Sequence, residues 1–334
     1  MPKHKINIEA GDRVLFIAIR AMGDTLLATP LIRDFKAEYP ETSIEVIVQS
    51  LPAQILEGNK NISNLLISPT SGSWIGAYRK LYYQLWKSNY KLSIDLISTP
   101  GSAVLSFIAN ARTRIGYNIR GRTWAYTDPV KRQSITKYSA ITKYDLAVPI
   151  ELHCTSPIPE IFPEAQYKTW AIERLSELKI DSTKTLIGLC PWSKREWRRW
   201  DINNWTMLLT NLKQTVDTQV ILFASASERI HLSGLESISD ISVCWGGATH
   251  IHQVAALMSQ CQFIFTADNG LKHIGVAVNT PTFTIYTDYD GVAPSAWNPP
   301  DNNIHEYIIA DFNIDDNSPV IQNACNFLRG VNDR

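Results

Sequence analysis

Short apolar runs rich in β-branched residues, each ending in a polar turn and followed by helical spacing, most narrow the folds open to this chain. The clearest lies in RVLFIAIRAMGDTLLATP, where residues 14–19 form the run, residues 20–23 interrupt it, and residues 25–36 space their apolar side chains as a helix does. A strand with one wet face would alternate; a continuous run is a strand covered on both faces, as in a parallel sheet. The helix then starts at the carboxyl end of that strand, the edge where open α/β sheets bind ligands. Gly23 would let the backbone turn tightly and approach a ligand closely. Asp24 has two readings at this junction: the N-cap of the helix, or a carboxylate facing a ligand as a general base.

The pattern repeats. Spacing predicts strands over 44–48, 65–67, 92–97 and 114–116, with helices over 73–87, 102–108 and, after periodicity is lost at 118, near 139–146. In the helix 73–87, Trp74, Tyr78, Leu81, Leu85 and Trp86 fall along one side. SPIPEIFP at 156–163 reads as a linker. Beyond it, helices are expected over 164–178, 202–215, 227–237, 252–259, 271–278 and 319–328. Strands are expected over 185–189, 219–223, 241–244, 263–266 and 281–286. At 334 residues two domains are the prior. The expected fold is α/β: two Rossmann-like, doubly wound parallel sheets, 1–160 and 161–334, facing a central cleft.

Lys+Arg and Asp+Glu balance at 32 each, so the molecule as a whole is not built to coat nucleic acid. Five scattered cysteines give neither a zinc spacing nor a disulfide framework, which fits a reduced, cytoplasmic setting. No stretch has the length of a membrane span or a signal-peptide core. No GxGxxG follows a predicted strand, which disfavours a nicotinamide or flavin dinucleotide enzyme; no cofactor or metal is expected.

Three further stretches carry candidate chemistry. CPWSKREWRRWDINNW, after the strand 185–189, holds Lys194, Arg195, Arg198 and Arg199 at a strand's carboxyl end. Such a cluster would hold a diphosphate through charge-assisted hydrogen bonds, or be a solvated basic loop. Trp200 and Trp205 read as packing residues. In FIFTADNGLKHIGVAV a strand ends at Thr266–Ala267–Asp268 and a helix begins near Asn269 and Gly270, where free N–H groups could bind an anion. Asp268 or Asn269 would otherwise be an N-cap, and His273 either points back to the same ligand or is a partly buried helix residue. Finally, residues 111–132 set Arg112, Arg114, Arg120, Arg122, Lys131 and Arg132 among Tyr117, Trp124 and Tyr126. That mix suits an anionic sugar-rich acceptor, acidic lipid headgroups or RNA, or is an ordinary loop.

Together these stretches resemble the lipopolysaccharide heptosyltransferases, glycosyltransferase family 9. The likeness is carried by RAMGDTLLATPLIRDFKAEYP, the basic loop ending in RRW, TADNGLKHIGVAVNTPT and RIGYNIRG at 114–121, in consistent order along nearly the whole chain. It implies a GT-B fold, with an N-terminal acceptor domain, a C-terminal nucleotide-sugar domain and a last helix, about 318–330, packing back on the first. The reaction it implies is inverting, metal-independent transfer of a heptose from ADP-heptose to a core-sugar hydroxyl. Asp24 would be the base. Lys194, Arg198, Asp268, Asn269, Gly270, Leu271 and His273 would bind the donor, Asp268 through heptose hydroxyls. Gly23, Arg120 and Arg122 would serve the acceptor. The partners implied are a lipid-linked core oligosaccharide and, transiently, the inner face of a Gram-negative inner membrane, with residues 112–132 as docking surface. Many family members have threonine at Asn269 and lysine at Arg198, and a glycine within 286–290. A relative using another nucleotide sugar, and a noncatalytic sugar-nucleotide or glycan-binding protein, are the alternatives.

Overall fold

A computed structural model describes residues 6–69, 75–133, 136–236, 238, 242–287, 293–300, 304–310 and 318–332. The chain divides into two units, Met1–Phe162 and Pro163–Arg334. Among the described residues each unit has six parallel strands. The first contains β1 (Arg13–Ile17), β2 (Ser43–Val48), β3 (Asn64–Ile67), β4 (Leu92–Asp95), β5 (Thr113–Tyr117) and β6 (Asp128–Val130), in the order β3-β2-β1-β4-β5-β6. The second contains β7 (Thr185–Cys190), β8 (Thr218–Leu222), β9 (Val243–Trp245), β10 (Phe263–Ala267), β11 (Thr282–Thr287) and β12 (His305–Ala310), in the order β12-β11-β10-β7-β8-β9. Counted from its own first strand, each sheet runs 3-2-1-4-5-6, so the order reverses between the first and fourth strands.

Strand alternation explains why the apolar runs are continuous. In β1, Leu15 and Ile17 join a cluster with Leu81, Leu85 and Leu105 from the helices Ile75–Lys87 and Pro100–Ile108. Phe16 meets Phe35 of the helix Thr29–Glu38 edge to face, with ring centroids 5.5 Å apart. Both faces are thereby dry. In the second unit Ile187, Leu189, Val220, Phe263, Phe265 and Phe283 pack with Trp205, Leu208 and Leu212 of the helix Ile202–Thr215. Trp200 and Trp205 are buried there, 5.1 Å apart, as packing residues.

Several expectations need correcting. Trp86 is 63% exposed, so the buried side of helix Ile75–Lys87 is Leu81 and Leu85; Trp74 lies outside the described residues. The helix expected over 227–237 is broken into Ala226–Arg229, a 3₁₀ turn Ile230–Leu232 and Ser233–Glu236. The edge strands β6 and β12 and the helix Ser50–Leu56 were not legible. β6 contains Pro129, which only an edge position tolerates. The closing helix, Ser318–Asn332, packs on Ile202–Thr215 and β12, with Ala324, Phe327 and Leu328 inside the core of the second unit. The linker expected over 156–163 spans the division of the chain, and residues 155–160 are strapped to the first unit. Asp34 accepts hydrogen bonds from Thr155 N and Oγ1 and from the Tyr144 hydroxyl, and Arg33 reaches Glu160 at 2.9 Å and the Ser156 carbonyl.

Candidate functional site

In the first sheet Gly23 and Asp24 follow β1, one of the two strands that flank the reversal of order, while Arg120 and Arg122 follow β5; in the second the predicted residues follow β7 and β10, which flank it. In the first unit Ile17 pairs with Asp95, so β1 and β4 end at the same level. The chain leaving β1 enters the helix Met22–Leu26 after Ala21, an extended residue that makes the turn. Gly23 is therefore the second residue of that helix and not a turn glycine. Asp24 is not its N-cap either: it lies in the first turn, and no side chain caps the helix. Its Oδ2 lies 3.3 Å from Arg20 Nε, an exposed guanidinium, while the carboxylate is only 15% exposed. The bland explanation for Asp24 thus fails, and a mostly covered carboxylate remains at the carboxyl end of β1.

The loop after β4 is held tightly. Ser98 sits at φ 54°, a left-handed conformation a serine adopts only under constraint. Asp95 Oδ1 accepts from Ile97 N and Ser98 N, and Oδ2 from the Tyr126 hydroxyl at 2.8 Å. Burial pushes the Asp95 carboxyl up, against those hydrogen bonds. Arg122 donates to the Ser98 carbonyl at 2.8 Å, which brings this predicted acceptor residue to the switch point. Arg120 is exposed and is not brought there. Arg114 is a brace, bonded to the carbonyls of Ala125 and Ala111, and Arg132 lies over the Tyr117 ring. Of the basic stretch, Arg112, Arg120 and Lys131 are left exposed along with Arg132.

In the second unit Thr266 pairs with Cys190, again levelling the ends of the two central strands. The loops that leave them are laced together. Asn269 Nδ2 donates to the carbonyls of Cys190 and Trp192, both at 3.0 Å, and Ser193 Oγ donates to the Asp268 carbonyl. Asn269 Oδ1 accepts from Leu271 N at 2.9 Å and Lys272 N at 3.3 Å. The Leu271 N–H expected to await an anion is thus already used, because an asparagine side chain can both cap the helix start and reach the neighbouring loop. Gly270 takes an ordinary helical conformation at the start of Leu271–Ala277. His273 is buried on that helix, 6.4 Å from the Trp297 ring.

The four basic residues of the loop after β7 do different things. Arg198 forms an ion pair with Asp268 Oδ2 at 2.8 Å. Arg199 lies 3.8 Å over Trp192, which stacks on His231, and donates to the Ser193 carbonyl. Arg195 lies over Trp197. Lys194 is exposed and makes no ion pair among the described residues. Asp268 thus holds Arg198 in place, while Lys194 stands in solvent. The Asp268 oxygens are both taken, since Lys272 Nζ bonds Oδ1 at 2.7 Å.

Two residues escaped the sequence reading. Lys272 is one; its signal was its place four residues after Asp268 on a helix. Lys143 is the other. It is buried in the first unit, where burial pushes its ammonium down and the nearby Asp24 carboxylate opposes that shift. It lies in a stretch without periodicity, so nothing local marked it.

A pair of doubly wound units of equal strand order, with a carboxylate at one reversal and cations at the other, defines the class: the two-unit α/β fold called GT-B. The family model of glycosyltransferase family 9 (heptosyltransferase) matches residues 78–317, and the chain belongs to that family. Lipopolysaccharide heptosyltransferase 2 of Salmonella typhimurium is 26% identical over 293 residues, covering 82% of each chain. Lipopolysaccharide heptosyltransferase 3 of Escherichia coli is 23% identical over 312 residues, covering 88% of each. Among solved structures, the family 9 glycosyl transferase of Veillonella parvula superposes with a TM-score of 0.78 at 17% identity, covering 90% of this chain and 86% of that one. The E. coli ADP-heptose lps heptosyltransferase II superposes with 0.73 at 20% identity, covering 96% and 98%. The last two are likenesses of fold. Among the described residues no helix is long and apolar enough to cross a membrane.

Proposed function

We propose that this chain is an inverting heptosyltransferase that moves a heptose from ADP-heptose to a hydroxyl of a lipopolysaccharide core sugar. The observation that carries the proposal is the ion pair of Arg198 with Asp268, at the carboxyl ends of β7 and β10, beside the open Lys194. The names of the relatives supply the sugar and the acceptor.

In this mechanism the acceptor hydroxyl attacks the anomeric carbon from the face opposite ADP. The new O–C1 bond forms as the bond from C1 to the diphosphate oxygen breaks, and Asp24 takes the hydroxyl proton. The leaving diphosphate gains charge in the transition state. Arg198 and Lys194 stabilise it in the role that a divalent cation fills elsewhere, so no metal is required. Asn269 and Gly270 shape the floor of the donor site. His273 fixes the helix beneath it. The first unit, 1–160, handles the acceptor through Gly23 and Arg122, and the second, 161–334, handles the donor. A lipid-linked acceptor brings the enzyme to the cytoplasmic face of the inner membrane, where Arg112, Arg120 and Lys131 meet anionic headgroups.

The test is calorimetric titration with ADP and then ADP-heptose in the presence of EDTA, followed by transfer to a core acceptor under the same conditions. Binding of both ligands and product of inverted anomeric configuration are expected. Transfer that stops on adding EDTA and returns with a divalent cation would remove the metal-independent mechanism. Binding of a different nucleotide in place of ADP would redirect the donor.

A further inference from the structure

A lysine at position 272 is an expensive choice. Lys272 is 2% exposed and lies in the first turn of the helix Leu271–Ala277, where the positive end of the helix dipole disfavours a cation. Burying an ammonium is costly on its own, and an apolar side chain of similar volume commonly does as well or better. Packing therefore does not account for it.

Its contacts suggest what does. Lys272 Nζ donates to Asp268 Oδ1 at 2.7 Å and to the Tyr286 hydroxyl at 2.6 Å, and lies 4.4 Å from the centre of the Tyr286 ring. Arg198 holds the other carboxylate oxygen, Oδ2, at 2.8 Å. The three charges form a line, plus–minus–plus, from the interior to solvent: Lys272 is 2% exposed, Asp268 11% and Arg198 25%. Without Lys272 the Arg198–Asp268 pair is neutral. With it the group carries one net positive charge, and the member an incoming anion meets is Arg198.

We propose that Lys272 is a positioning residue of the donor site: by neutralising Asp268 from behind, it leaves the Arg198 guanidinium as net positive charge for the donor diphosphate. This rests on the donor-site reading above and deepens it. Asp268 then acts as the bridge between two cations rather than as an acceptor for sugar hydroxyls. Burial pushes the Lys272 ammonium down, and the Asp268 carboxylate opposes that shift.

The test measures ADP and inorganic pyrophosphate affinity by calorimetry for the wild type, Lys272→Met and the double variant Asp268→Asn/Lys272→Met. Removing one unit charge a few ångströms behind the guanidinium is expected to weaken both ligands roughly tenfold in Lys272→Met. The double variant restores the net charge to plus one and is expected to bind within about threefold of wild type. A lysine that only props the core would give no rescue, because the second substitution repairs charge and not packing. Wild-type affinity in Lys272→Met, or a double variant no better than the single one, overturns the proposal. If Lys272→Met does not fold, Lys272→Gln takes its place in the same cycle. Wild-type protein that binds pyrophosphate but not ADP would overturn the ADP reading alone, since the Lys272 ratio can still be read; binding of neither would overturn both.

Discussion

In the first unit the chain leaving β1 turns into a helix whose first turn carries Asp24, beside an exposed Arg20 and within the field of buried Lys143. In the second, the chain leaving β7 runs through a basic loop whose Arg198 is pinned by Asp268 from the end of β10. The two sheets have the same strand order, and both place these residues at the same topological point. What differs is the sign of the group the proposed mechanism uses: a carboxylate in one unit and a guanidinium in the other. Topology fixes where a site can be, and the loops decide its chemistry.

That contrast predicts separable defects. The largest is for Asp24→Asn, which should lower the transfer rate by roughly 10²–10⁴-fold, the usual worth of a general base, with ADP affinity unchanged. Steady-state transfer and ADP titration on the same preparation check it. A normal rate would take Asp24 out of the mechanism, and a parallel loss of ADP binding would erase the division of labour between the units.

Next is Arg198→Met, expected to weaken ADP by about 10- to 100-fold, as hydrogen bonds to charged groups are worth about 1.5–3 kcal/mol. Lys194→Met, at an exposed site without a fixed partner, should cost roughly two- to fivefold. Reversal of that ranking would mean that the open lysine, not the pinned arginine, carries the diphosphate.

The ranking also marks the limit of what the sequence revealed. Continuous β-branched runs disclosed ten of the twelve strands described here, because a strand covered on both faces has no polar alternation to hide it. β6 and β12 escaped because edge strands are short or mixed in character, with burial confined to a few positions. At the site, residue types and strand ends pointed to Asp24, Arg198 and Asp268. Which cation pairs with which acid was not legible, since the Arg198–Asp268 pair joins residues 70 apart. Nor was the loss of the Leu271 N–H to Asn269, which depends on a side chain turning back on its own helix.

A smaller effect compares the sheets themselves. Each has a central-layer glycine that makes room for a neighbour. A Cβ on Gly116 of β5 would overlap the ring of Tyr126, and one on Gly188 of β7 would overlap the tip of Ile264 and approach Phe223. Overpacking of this kind typically costs about 1–3 kcal/mol. Gly116→Ala should be the worse of the two, because Tyr126 is rigid and its hydroxyl satisfies the buried Asp95, whereas an isoleucine tip can rotate. Urea denaturation of both variants checks the order, and equal costs would show that the Tyr126–Asp95 bond is dispensable.

The smallest effect separates two acids of one segment. The proposed mechanism gives Asp24 to chemistry, whereas Asp34, ten residues on, is spent on structure. Burial alone would raise the Asp34 carboxyl, but hydrogen bonds from the Thr155 side chain and backbone, the Tyr144 hydroxyl and Arg33 outweigh it and hold the group below its ordinary range. A carboxyl whose folded value is depressed stabilises the protein above its unfolded value of about 3.9 and loses that contribution as pH falls through the folded value. Wild-type urea midpoints should therefore drop between about pH 5 and pH 3. Asp34→Asn should lie below wild type at pH 7, because the amide cannot accept from all four partners, and the two curves should converge as the wild-type carboxyl takes up its proton. A gap that stays constant down to pH 3 would mean that the strap 155–160 is held by Arg33 and Glu160 without help from the Asp34 charge.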